Sequence, residues 1–174
     1  NTYGSGKGAN ISLEASETLS FSGSDTDNYA SKIFLETYGQ SEDAGDAGTL
    51  DINADDISFS DGAGIIASTF GSGDCGDLTL RAEGDICFGG VSYDPYVNYF
   101  FRFYVGDNPL NPEAIFGGIV SNVHVFSNGG SGGDIEIQAE DILLSDSACL
   151  YSTTTGFGNS GNIRIDAARS EERR

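Results

Sequence analysis

The stretch from Gly45 to Ala54 reads GDAGTLDINA, and the stretch from Gly73 to Ala82 reads GDCGDLTLRA. Both obey one pattern, and in the form Gly-x-x-(Gly/Ala)-x-(Ile/Leu)-x-(Ile/Leu)-x-Ala it recurs three more times. The further copies are GKGANISLEA from Gly6, GSGGDIEIQA from Gly130 and GNSGNIRIDA from Gly158. Their starts are 39, 28, 57 and 28 residues apart. A recurring period of this size signals a repeat architecture, in which no unit can bury its apolar face alone. The gap of 57 is nearly twice 28 and holds no further copy, so it reads as one unit with a long insertion.

Outward from the motif, each unit carries two more strand signals. After the Ala comes an alternating pair: Leu19 and Phe21, Ile57 and Phe59, Ile86 and Phe88, Ile142 and Leu144. A third run closes on glycine, as KIFLETYG from Lys32, GIIASTFG from Gly64, NVHVFSNG from Asn122 and CLYSTTTG from Cys149. Aligned on that glycine, the inward column is Ile33, Ile65, Val123 and Leu150. The next is Leu35, Ala67, Val125 and Ser152, and the last is Thr37, Thr69, Ser127 and Thr154. Alternation with period two marks half-buried strands, and no run sustains the helical spacing.

Three strands per 28 residues predict an all-β fold: a right-handed parallel β-helix of about four to five rungs. Rungs start near 6, 45, 73, 130 and 158, with an insertion over 89–118 and a tail over 168–174. Stacking at about 4.8 Å per rung sets like side chains over like. The glycine opening each motif is expected to supply a positive φ at a corner. The recurring Ala is expected to fit a tight bend.

A net charge of −19, from 27 acids against 8 bases, disfavours nucleic acid and anionic membranes as partners. At 38% hydrophobic and 20% charged, the chain is too apolar for disorder. No stretch is long and apolar enough to span a bilayer as a helix. Asn1 to Gly8 is polar and unlike a signal peptide. The chain starts and ends within repeats, so it reads as a segment of a longer protein. Cys75, Cys87 and Cys149 are an odd set without C-x-x-C, which points to free thiols, with one disulfide as the alternative.

The units GDAGTLDINADDISFSDGAGIIASTFGSG and GGDIEIQAEDILLSDSACLYSTTTGFGNSGNIRIDA resemble repeats of filamentous-haemagglutinin-like exoproteins. These belong to two-partner secretion systems of Gram-negative bacteria, with large cyanobacterial members. The resemblance covers Gly6 to Phe88 and Ile119 to Ala167. It implies a long β-helix exported through a dedicated outer-membrane transporter to the cell surface or medium. It also implies a role in adhesion, biofilm formation or contact-dependent toxicity.

Departures from the period are where repeat proteins carry function. The insertion holds all three prolines and eight aromatic residues. Tyr93, Tyr96, Tyr99, Phe101, Arg102 and Tyr104 are the candidate binding residues, since such rings offer rigid area to a glycan or a protein receptor. The bland alternative is that the rings cover a neighbouring sheet. Asp25 and Asp27 in the first unit are weak calcium candidates, and no cofactor is called for.

Other motifs fail on context. GGSGGDIEI from Gly129 has Glu136 where a calcium-binding nonapeptide needs a hydrophobic residue. Gly129 to Gly133 spells G-x-S-x-G without a strand-to-helix turn. His124, the one histidine, falls outward by alternation and reads as a lone surface residue. Asp55, Asp56, Asp85, Glu140 and Asp141 recur after the motif Ala as an acidic column, which suits solvated turns better than a catalytic cluster. The expected function is therefore a structural or adhesive, non-enzymatic segment. A carbohydrate-active β-helix enzyme and a glycan-binding module are the alternatives.

Overall fold

The computed structural model describes residues 1–23, 30–92, 115–124, 126–146 and 148–173. Among these residues the fold is all-β, without a helix. The five motif copies become β1 (Ile11–Glu14), β4 (Leu50–Ala54), β7 (Leu78–Ala82), the first half of β12 (Ile135–Ser145), and β14 (Ile163–Arg173). They lie side by side in parallel and in motif register, with Ile11 beside Leu50, Leu50 beside Leu78, Leu78 beside Ile135, and Ile135 beside Ile163. The alternating pairs become β2 (Thr18–Phe21), β5 (Asp56–Phe59) and β8 (Asp85–Phe88), again parallel. The long β12 takes β7 on its first half and β8 on its second, so these strands form one eight-stranded sheet. A four-stranded parallel sheet holds β3 (Lys32–Thr37), β6 (Gly64–Thr69), β11 (Gly118–Val123) and β13 (Cys149–Thr154).

Packing follows the alternation. Leu50, Ile52, Leu78, Leu80, Ile135 and Ile137 are almost completely buried, and each contributes about 1.5–3 kcal/mol of apolar transfer. Phe21, Phe59 and Phe88 stack face to face beside them, with centroids 4.7 and 5.0 Å apart. Hydroxyls of this four-stranded sheet, called the third sheet because it collects the third run of each unit, tie it to the motif corners. Thr37 Oγ1 donates to the Gly45 carbonyl at 2.9 Å, Thr69 Oγ1 to Gly73 at 2.6 Å, and Ser152 Oγ to Gly161 at 2.7 Å. Buried hydroxyls are thus satisfied by carbonyls that no side chain shields.

Three details differ from the sequence reading. Of the glycines that open the motif, only Gly158 has a positive φ. Three of the others are required by close approach, Gly6 alone meeting nothing within 4 Å: a Cβ on Gly45, Gly73 or Gly130 would lie 2.1, 2.3 or 2.2 Å from the carbonyl oxygen of the preceding copy's first glycine. The third run of the long unit starts four residues earlier than expected, with Gly118 beside Gly64 and Ile119 beside Ile65. The column is therefore Ile33, Ile65, Ile119 and Leu150, and Val123 faces Thr69. Past Val123, the Ser127 N–H bonds the His124 carbonyl at 2.7 Å before the next motif copy opens at Gly130. Finally, Arg169 to Arg173, set apart as a tail, extend β14 beside Asp141 to Ser145, because backbone pairing does not require apolar side chains.

Candidate functional site

The insertion leaves and rejoins the stack at one point. Between β5 and β6 the chain needs only Ser60–Ala63; in the next unit residues 89–117 separate β8 from β11 in sequence. Its two ends pair antiparallel as β9 (Val91–Ser92) and β10 (Ile115–Phe116), with Phe116 beside Val91 and Ile115 beside Ser92. Gly118 already belongs to β11. The candidate binding residues Tyr93, Tyr96, Tyr99, Phe101, Arg102 and Tyr104 lie outside the described residues, as do Asp25, Asp27 and Val125.

The third sheet adjoins this point, and its outward side is not an ordinary wet face. On β6 the outward Ile66 and Ser68 are 6% and 4% exposed. The outward column Glu36, Ser68 and Asn122 is buried throughout. Glu36 accepts from Asn1 Nδ2 at 3.1 Å and from the Tyr38 hydroxyl at 3.0 Å. Asn122 Oδ1 is buried without a hydrogen-bond partner. A carboxylate and an amide oxygen two strands apart, roughly 10 Å, are acceptors suited to hydroxyl or N–H donors.

An aromatic column borders this face. Tyr3 stacks on Tyr38 at 4.8 Å and Tyr38 on Phe70 at 4.7 Å, while His124 lies tilted against Phe70 at 4.3 Å and against Phe126 at 5.0 Å. His124 was expected at the surface; it is 3% exposed because Phe70 and Phe126 cover its ring. Its Nδ1 accepts the Phe126 N–H at 3.3 Å, and burial pushes its pKa down to about 4. The imidazole is neutral at pH 7, a stacking element rather than an acid. Interior rings of the column face one another, while its end rings Tyr3 and Phe126 are 72% and 57% exposed.

The acidic residues have structural employment. Asp46 Oδ1 accepts the Asp74 N–H at 3.1 Å, and Asp74 Oδ1 accepts the Ser131 N–H at 2.7 Å. One corner position on, Asp77 Oδ1 accepts the Asp134 N–H and Asp134 Oδ1 the Asn162 N–H, at 2.9 and 2.7 Å. The Asp74 N–H and then Lys7 hold Asp46 below the usual carboxylate range. Of the expected acidic column, Asp85 sits beside Asp141, and Asp56 Oδ1 accepts the Asp85 N–H at 2.9 Å. Asp55 instead lines an open cleft with Glu14, Asn53 and Glu83. Sequence reading saw the acids but not their bonds to the next copy, although the recurrence of Asp or Asn beside the motif glycines was the visible signal.

All three cysteines are free. Burial pushes the Cys75 thiol up to about 12 and raises those of Cys87 and Cys149, which leaves all three poor nucleophiles. Compared with protein-family models, curated proteins and solved structures, the chain matches none.

Proposed function

We propose that the chain is a run of coils from a right-handed parallel β-helix, serving as a structural or adhesive segment of a secreted cell-surface exoprotein. The observation that carries this reading is the register. Each motif strand lies beside the strand one repeat away, and the chain visits the other strand columns before returning. Parallel strands joined by such crossovers are right-handed in nearly all proteins. The insertion leaving through an antiparallel base supports a loop displayed from a stiff support. Carboxylates engaged on backbone N–H groups support a scaffolding use of the acidity rather than a catalytic one.

On this reading the parent protein reaches the surface of a Gram-negative bacterium through the outer-membrane transporter of a two-partner system. The insertion then contacts a glycan or a receptor on another cell. The test is a glycan panel probed with the whole chain, with Tyr99→Ala and Phe101→Ala beside it, and a reducing-sugar assay on every glycan retained. Retention lost in both variants, without new reducing ends, is the expected result. Release of reducing ends would replace the reading with a carbohydrate-active enzyme, and retention unaffected by either variant would remove the insertion from binding.

A further inference from the structure

The two edges of the motif ladder are not equivalent. At its β14 edge the inward residues Ile163 and Ile165 are 39% and 47% exposed, whereas their counterparts Ile135 and Ile137 on β12 are buried. Among the described residues β14 pairs with β12 alone, so its other edge presents backbone groups in motif register. At the β1 edge the fourth motif position differs. There Gly48, Gly76, Gly133 and Gly161 would each place a Cβ 2.0, 1.8, 2.1 or 2.0 Å from a carbonyl oxygen of the preceding copy. The first copy carries Ala9 at this position, and it is exposed. A strand docked under β1 in motif register would drive its carbonyl into that methyl.

We infer that the β14 edge is a docking surface for a further copy of this motif with glycine at its first and fourth positions. Ala9 prevents a second copy of this same chain from being that occupant. Two observations specify the partner's chemistry. The glycine columns admit no Cβ on the incoming strand, because Gly158 and Gly161 would present their carbonyls as Gly130 and Gly133 do to them. On the outward face charges alternate along the ladder: Arg81 meets Asp51 at 3.4 Å and Glu136 at 3.8 Å, and Arg164 meets Glu136 at 3.9 Å. Arg164 ends that row and favours an acid on the next strand. GDAGTLDINA, with Gly45, Gly48 and Asp51, is the kind of sequence that satisfies both conditions, and the first copy, with Ala9 and Ser12, satisfies neither fully. Residues ahead of Gly6 do not obstruct, since Thr2 continues the third sheet in parallel beside Thr37. The inference stands on the ladder alone and does not depend on the adhesive reading.

The test makes the chain its own partner. Ala9→Gly removes the methyl, and Ile163→Asp places a charge in the docking seat at an already exposed position. Sedimentation velocity over a hundredfold concentration range is the measurement, with far-UV circular dichroism to show that each variant folds. The unaltered chain is expected to sediment at 18.2 kDa throughout, and Ala9→Gly to shift to species of at least twice that mass. Adding Ile163→Asp to Ala9→Gly should restore the monomer. An Ala9→Gly chain that stays monomeric would overturn the docking surface. An unaltered chain that associates as readily would overturn the role of Ala9, and association that survives Ile163→Asp would place the contact elsewhere.

Discussion

Asp74 Oδ1 accepts the backbone N–H of Ser131 at 2.7 Å, and so joins a side chain of one motif copy to the corner of the next. The Asp74 N–H is itself bonded to Asp46, so the corner is a relay of carboxylate and amide along the stack. Asp74→Ala should cost about 1 kcal/mol, below the usual contribution of charge-assisted bonds because the site is exposed. Asp74→Asn should cost less, as an amide oxygen can accept the same bond; Asn10 Oδ1 does so from the Thr49 N–H at 3.1 Å. Urea midpoints of the two variants check the order. Equal losses would mean that the charge, not the acceptor, is what matters.

Gly76 and Gly6 make a sharper contrast. A Cβ on Gly76 would lie 1.8 Å from the Gly48 carbonyl oxygen, whereas one on Gly6 meets nothing within 4 Å. Neither residue needs a positive φ. Gly76→Ala should therefore destabilise by about 3 kcal/mol or more, since backbone must move to admit the methyl. Gly6→Ala should stay within about 0.5 kcal/mol of the parent. Similar melting temperatures for the two would refute close approach as the reason for the glycines.

How much of this was legible in the sequence turns on what alternation can and cannot detect. Columns such as Leu50, Leu78 and Ile135 are fixed by period two together with the motif glycines, and they pair as read. The shift at β11 was invisible because it is four residues long. An even slip keeps every side chain on its own face, so Val123 points inward in either register. Ser127 even performs the task that Thr69 performs in its own unit, donating to the Gly130 carbonyl at 3.2 Å as Thr69 does to Gly73. His124 was correctly outward by parity, but no local pattern reveals that Phe70, 54 positions away, covers it. The wall around Glu36 and Asn122 was missed for the same reason: burial of an outward polar residue is a tertiary fact.

The buried imidazole gives a pH signature. His124 titrates near 4 when folded and near its ordinary 6.5 when unfolded, so below 6.5 the unfolded chain binds a proton that the folded chain does not. Stability is complete above about pH 6.5 and declines as the pH falls toward 4. Between pH 7.5 and 5 the loss should be about 2 kcal/mol, at about 1.4 kcal/mol per unit. His124→Phe keeps a ring on Phe70 and removes the titration. Urea unfolding of both proteins at the two pH values is the check. The parent should lose more stability than the variant, and parallel losses would assign the effect to carboxylates.

Phe59 lies between Phe21 and Phe88, 4.7 and 5.0 Å from them, and is 1% exposed. Phe59→Ala opens a ring-sized void in the middle of the column and should cost about 3–5 kcal/mol. Phe21 has a ring partner on one side in this column and is only half-buried, so Phe21→Ala should cost markedly less. The difference between the two unfolding free energies measures what stacking in the interior adds. A Phe21 variant as damaged as the Phe59 variant would show that the whole column acts as one unit.

The insertion can be tested apart from the stack because its base is closed by the fold. The Gly89 N–H donates to the Phe59 carbonyl at 2.8 Å, the Gly117 N–H to Gly90 at 3.2 Å, and Ser92 and Ile115 face one another. An Asn-Gly pair in place of residues 93–114 joins two directly opposed residues and suits a two-residue hairpin turn. If the insertion is a display loop, this shortened chain keeps cooperative unfolding and its β signal, with a melting temperature within a few degrees of the parent, and loses glycan retention. Loss of cooperativity, or aggregation, would instead make the segment the cover over Ile66 and Ser68, whose outward side chains are buried in the intact chain. Melting curves and light scattering of the two chains at equal concentration separate these outcomes.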